Sequence, residues 1–177
     1  MKDEEEISSS IPAFNTIKNY WETRTPGIKH SVFEPGTIEF LNELEEKRYN
    51  RHYAYLLESA EFDQYDGKDV LEIGCGMGID LTEKAIQNTR SHFSHRGMKG
   101  TFLTMNTEKL DFPDNSFDLV YSFGVLHHTQ DTQKAINEVN RVLKPGGKAI
   151  IMLYHKGFRY YFKIHLYYGI LKGENYK

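Results

Sequence analysis

Residues 70–86, VLEIGCGMGIDLTEKAI, constrain this chain more than any other stretch. Val70, Leu71 and Ile73 read as a short apolar strand, Gly74, Gly76 and Gly78 alternate through a turn, and a helix follows at once. Glycines let a backbone pass close to a ligand, and the start of the following helix offers free N–H groups. Glu72, just before the turn, discriminates between ligands. Its carboxylate would repel a pyrophosphate but welcome an ammonium group. Domains that open this way place a second strand, ending in an acid, about 20 residues further on. Here that region is already a helix on its way to the next strand.

The remainder alternates strand and helix. Asp80 or Thr82 caps a helix whose Ala85, Ile86, Thr89 and Phe93 face inward and which Gly97 ends. GTFLTMN is a strand, LDFPDNSF a turn, and DLVYSF a near-continuous apolar strand of the kind covered on both faces. Asp131 caps TQKAINEVNRVL, whose inward stripe is Ala135, Ile136, Val139 and Leu143. KPGG stops that helix and KAIIMLY is the last strand. Alternation of this kind predicts an α/β fold with an open, mostly parallel sheet.

Four regions follow. Residues 1–10 read as a disordered acidic lead-in. Residues 11–66 read as an N-terminal helical lid or substrate region. It holds Phe14, Ile17 and Trp21 at helical spacing, and a helix from Thr37 carrying Ile38, Leu41 and Leu44. A further helix is expected over Tyr53–Phe62. Residues 67–155 form the core, and residues 156–177 a C-terminal helix rich in aromatics. The net charge of −3 over 177 residues provides no basic field for nucleic acid or an anionic membrane. No apolar run approaches a spanning helix and no signal-peptide pattern opens the chain. The single cysteine, Cys75, forms no internal disulfide framework. The expected location is cytoplasmic.

The segments VLEIGCGMG, NTEKLDFPDNSFDLVYS, GVLHHTQD and EVNRVLKPGGKAII occur in that order over residues 70–151. Together they resemble the class I S-adenosylmethionine-dependent methyltransferases, especially the type 11 branch. The resemblance implies a Rossmann-like fold and S-adenosylmethionine as cofactor, with S-adenosylhomocysteine as product. By the same resemblance, Glu72 would hold the methionine amino group, directly or through water. Backbone at Gly74, Cys75 and Gly76, with Gly78 completing the turn, would line the methionine and ribose. Asn106 and Thr107 stand where the family reads the adenine, usually with an aspartate, so Asn106 departs from the pattern. Ser122 would lie beneath the methionine moiety. His127 and His128 fall in the substrate-facing segment, and are read evenly as a general base or as a polar pair at a strand-to-helix loop.

The family's first helix and second strand have no counterpart in this reading. Asp80 matches the acid that ends the second strand and equally fits the helix-start position beyond the glycines. That acid accepts both ribose hydroxyls, and losing such a bond costs about 1.5–3 kcal/mol, or roughly ten- to a hundredfold in affinity. The expected repair places GTFLTMN directly beside Val70–Ile73, with Asn106 or Glu108 moved toward the ribose. The antiparallel hairpin that closes the family's sheet is also expected to be lacking. Exposed edges then favour a homodimer, with element swapping as one form of it. The leading reading is methyl transfer to a small-molecule acceptor. The rivals are a non-catalytic remnant acting through assembly or partner binding, and a deletion product. Cys75 reads as packing rather than nucleophile. Tyr154 and His155 stand where they could face substrate.

Overall fold

The computed structural model describes residues 14–23, 31–34, 37–47, 55, 58, 60–74 and 78–154. Helix α1 covers 14–23 and α2 covers Ile38–Glu46. The core follows as β1 (Val70–Ile73), β2 (Ile79–Asp80), α3 (Glu83–His95), β3 (Leu103–Thr104), β4 (Phe117–Phe123), α4 (Thr132–Val142) and β5 (Leu143–Met152). All five strands pair in parallel, in the order β3-β2-β1-β4-β5. This is the α/β sheet that the alternation of elements predicts.

The second strand, expected to be absent, is present as two residues. Ile73 of β1 registers with Ile79, and the Gly74 N–H donates to the Ile79 carbonyl at 2.8 Å. Five residues suffice for this connection because β2 meets only the last residue of β1. Gly78 makes the return possible: a Cβ there would overlap the Glu72 carbonyl. The strand over Thr101–Met105 therefore does not lie beside Val70–Ile73. It contributes only Leu103 and Thr104, which pair with Ile79 and Asp80 at the sheet edge.

Helix ends follow their side chains. Thr82, rather than Asp80, is the N-cap of α3, its hydroxyl oxygen accepting from Ala85 N at 3.4 Å. Gly97, at φ +64, ends that helix. Asp131 caps α4, accepting from Lys134 N at 2.9 Å, and Ala135, Val139 and Val142 form its buried stripe. Leu143, read from sequence as the last helical residue, instead opens β5 opposite Phe117. The KPGG segment lies within β5, beside a register irregularity between Phe117 and Leu119.

The core is one cluster between the sheet and α4, built on Leu71, Ile73, Ile79, Leu110, Val120, Leu126, Ala135, Val139 and Val142. A smaller cluster of Ile86, Phe93 and Phe102 lies under α3. Arg141 fastens the long β3–β4 connection to α4. Its guanidinium donates to the Leu110 and Phe112 carbonyls, both at 2.8 Å, and pairs with Glu138 and Asp114. The Glu138 carboxylate in turn accepts from Leu110 N at 2.7 Å. The expected helix over Tyr53–Phe62 falls largely outside the described residues, as do the lead-in, His155 and the C-terminal tail.

Candidate functional site

In an open parallel sheet, ligands collect beyond the C-terminal ends of the strands, where connections diverge. A cavity of about 370 Å³ lies there, within the range of small-molecule sites. Its floor is Ile73 and Gly74 after β1, Ile79 and Asp80 of β2, Met105–Glu108 after β3, and Phe123–Val125 after β4. Phe14, Ile17 and Trp21 of α1 close it from above, one helical face serving as a roof.

Two observations explain how backbone reaches this cavity. Gly74 holds φ +88, and a Cβ on it would overlap the Val125 side chain, so only glycine permits the turn. Asp80 ends β2 at the cavity wall, with Oδ1 accepting from the Thr82 amide and hydroxyl, both at 2.8 Å. Of the two positions the sequence left open for Asp80, the structure gives it the strand end.

The predicted residues divide into three groups. Gly74, Asp80, Asn106, Thr107 and His128 are brought together around the cavity. Cys75 and Gly76 lie outside the described residues. Glu72, Gly78, Ser122 and His127 are not in the cavity wall. Glu72 is buried in mid-strand at 8% exposure, opposite Tyr121. Gly78 packs on the Glu72 backbone. The Ser122 hydroxyl, fully buried, donates to the Ile73 carbonyl at 3.2 Å and ties β4 to β1. The His127 ring lies tilted against those of His128 and Tyr154, with centres 4.1 and 4.3 Å away. Both its ring nitrogens are buried with no hydrogen-bond partner.

Burial pushes the imidazoles of both histidines below their ordinary value; the neighbouring His128 adds to the effect at His127. Both shifts favour the neutral form, the one in which an imidazole accepts a proton. His128 stands edge-on to Trp21, with ring centres 5.1 Å apart.

Glu108 is the wall residue that sequence reasoning only half identified. Its Oε1 accepts from Gln130 N at 2.7 Å and Asp131 N at 3.2 Å. Its own amide donates to Asn106 Oδ1 at 2.9 Å. It thus couples the loop after β3 to the loop carrying His128. The loop pairing is long-range in sequence, 22 residues for Gln130, so no local pattern announces it. Gly124 and Val125, just past β4, were also missed, although a glycine directly after an apolar strand is a recognisable signal.

Residues 75–151 match the family described as a methyltransferase domain. Over these residues, under half of the chain, the sequence is similar to a methyltransferase domain. A ubiquinone/menaquinone biosynthesis C-methyltransferase, UbiE of Pseudoalteromonas translucida, is 35% identical over 101 residues, covering 55% of this chain and 38% of that protein. Phosphoethanolamine N-methyltransferase 2 of Caenorhabditis elegans is 32% identical over 110 residues, covering 52% and 25%. The chain thus spans well under half the length of these curated relatives. The crystal structure of a SAM-dependent methyltransferase from Aquifex aeolicus shares the fold with TM-score 0.55 and 22% identity, over 71% of this chain and 75% of that one. Among the described residues no helix is long and apolar enough to cross a membrane.

Proposed function

We propose that this chain transfers a methyl group from S-adenosylmethionine to a small-molecule acceptor. One observation carries the reading: Asp80, at the end of β2, and Gly74, whose turn admits no side chain, face one cavity of suitable size. The donor set fits the cofactor. Asp80 offers a carboxylate to ribose hydroxyls, Asn106 and Thr107 offer polar groups to an adenine edge, and Met105, Leu81 and Val125 supply apolar surface. When bound, S-adenosylmethionine supplies a methyl group already activated by its sulfonium. Glu72, buried in β1 just before the glycine turn, meets the ammonium group through water in this reading.

The chain's own contribution is orientation and proton removal. Holding acceptor and methyl donor in line is worth up to about 7–11 kcal/mol, whereas general-base help gives about 10²–10⁴-fold. Glu108 fixes the two loops relative to each other, and α1 excludes water from above. Neutral His128 accepts the proton that the acceptor atom sheds on methylation. His128→Asn should lower kcat by about 10²–10⁴ with little change in cofactor affinity.

A second reading, a non-catalytic remnant, is favoured by the shortness of β2. Calorimetric titration with S-adenosylmethionine separates the two. The proposal expects saturable binding at one site per chain; no heat at millimolar cofactor would sink it. The homodimer expected from exposed edges remains part of the proposal, because β3 leaves Leu103 exposed at the sheet margin. A monomeric mass by sedimentation would remove that part alone.

A further inference from the structure

The side chain of Asn106 is already half committed. Its Oδ1 is turned back onto its own loop, where it accepts from the Glu108 amide at 2.9 Å. What Asn106 then presents to a ligand is its Nδ2 group, which only donates. Adenine asks for more than that. Its ring nitrogens accept hydrogen bonds, but the 6-amine beside them donates and needs an acceptor.

Glu108 supplies that acceptor. Its side chain is 9% exposed and lines the same stretch of wall as Met105, Asn106 and Thr107. Oε1 is taken by the Gln130 and Asp131 amides at the start of α4, at 2.7 and 3.2 Å. Oε2 has no hydrogen-bond partner among the described residues. In a side chain so little exposed, an oxygen without a donor is costly, and the cavity is where a donor can arrive. Asp80, the other carboxylate of the wall, reaches the cavity from β2 and holds the Thr82 amide and hydroxyl with Oδ1.

We infer that Glu108 reads the 6-amine of the cofactor's adenine, with Oε2 accepting from the amine and Asn106 Nδ2 donating to a neighbouring ring nitrogen. The inference rests on the methyltransferase reading of this cavity and adds the group that makes its purine end specific for adenine. The two amides of α4 fix Oε1, so the carboxylate is held in place before the ligand arrives.

Those amides also make a clean substitution possible. They require an acceptor, so in Glu108→Gln the side-chain oxygen should stay on α4 and the NH2 should replace Oε2 at the cavity. An acceptor becomes a donor there with little change of shape. The probes are S-adenosylhomocysteine and its 6-deamino analogue, whose purine carries hydrogen in place of the amine. Both are titrated by calorimetry into the full chain, with Tm recorded for wild type and variant. Wild type should bind S-adenosylhomocysteine about ten- to a hundredfold more tightly than the analogue, the range for a hydrogen bond to a charged group. In Glu108→Gln, S-adenosylhomocysteine should weaken by about that factor and the analogue by less than about threefold. If Glu108 only joined its loop to α4, the variant would weaken both ligands alike, and that result would overturn the inference. Equal binding of the two ligands by the wild type would overturn it too, and that comparison needs no variant. Binding of neither ligand by the wild type would instead remove the methyltransferase reading, and the inference with it.

Discussion

Strands β4 and β5 stay in register from Leu119 to Phe123, and β1 lies along β4 for its whole length. On the other side of β1, β2 and β3 have two residues each and meet the sheet only at its C-terminal end. The thick half buries Leu119, Val120 and Leu126 completely, while β3 exposes both its residues. Stability and ligand geometry have therefore been separated. The thick half holds the fold, and the thin half needs only to deliver Asp80 to the cavity. A two-residue strand suffices for that, because the ligand-bearing end of a parallel sheet is its last residue or two.

The largest effect should come from breaking the thick half. Leu119→Ala removes a fully buried side chain and should cost about 2–5 kcal/mol, measured by denaturant unfolding. The equivalent change in the thin half, Leu103→Ala, should stay within about 0.5 kcal/mol because that side chain is already 38% exposed. Similar losses at both positions would erase the distinction between the halves.

Next in size is the fastening of the β3–β4 connection. Arg141 holds the Glu138 carboxyl below its ordinary value of 4.5, with burial opposing and the Leu110 amide helping. A depressed carboxyl stabilises the fold fully above its unfolded pKa and loses that contribution as pH falls through the folded one. Arg141→Met should therefore lower the Tm by several degrees at pH 7 and flatten the decline in stability below pH 4.5. An unchanged acid limb would mean that the pair contributes nothing measurable.

The smallest effect concerns the histidines. Because burial lowers the folded pKa of His127 and His128, the unfolded chain takes up protons first. Stability should decline as pH falls below about 6.5, the unfolded value, and level off below the folded one. His127→Phe should remove part of that decline, read from Tm between pH 7 and 5. A Tm rising as the pH drops through that window would contradict the burial argument.

Much of this was legible in the sequence. The apolar run of β4, the Asp131 cap and the stripe Ala135–Val139 each carry a local signal, and each appears as read. The glycine turn announced the ligand end of β1. Ile79–Asp80 was not legible as a strand, because two residues show no periodicity. What makes them a strand is the contact of Gly78 with the Glu72 backbone, which is tertiary. Leu143 failed for a related reason: its apolar character suits a helix stripe or a strand, and pairing with Phe117 decides between them. At the site, Gly74, Asp80 and Asn106 were named by the glycine pattern and the family resemblance, and all three line the cavity. Ser122 and His127 pointed the right way in sequence but are taken up by the backbone of β1 and by the Tyr154 ring.

The central claim is that a two-residue strand still delivers a working cofactor acid. Its most direct test is calorimetric titration of S-adenosylmethionine into the wild type and Asp80→Asn, with Tm recorded for both. The account predicts binding by the wild type and roughly ten- to a hundredfold weaker binding by the variant. The two Tm values should agree closely. Equal affinity in the two proteins would contradict it, because Asp80 would then face the cavity without touching the cofactor.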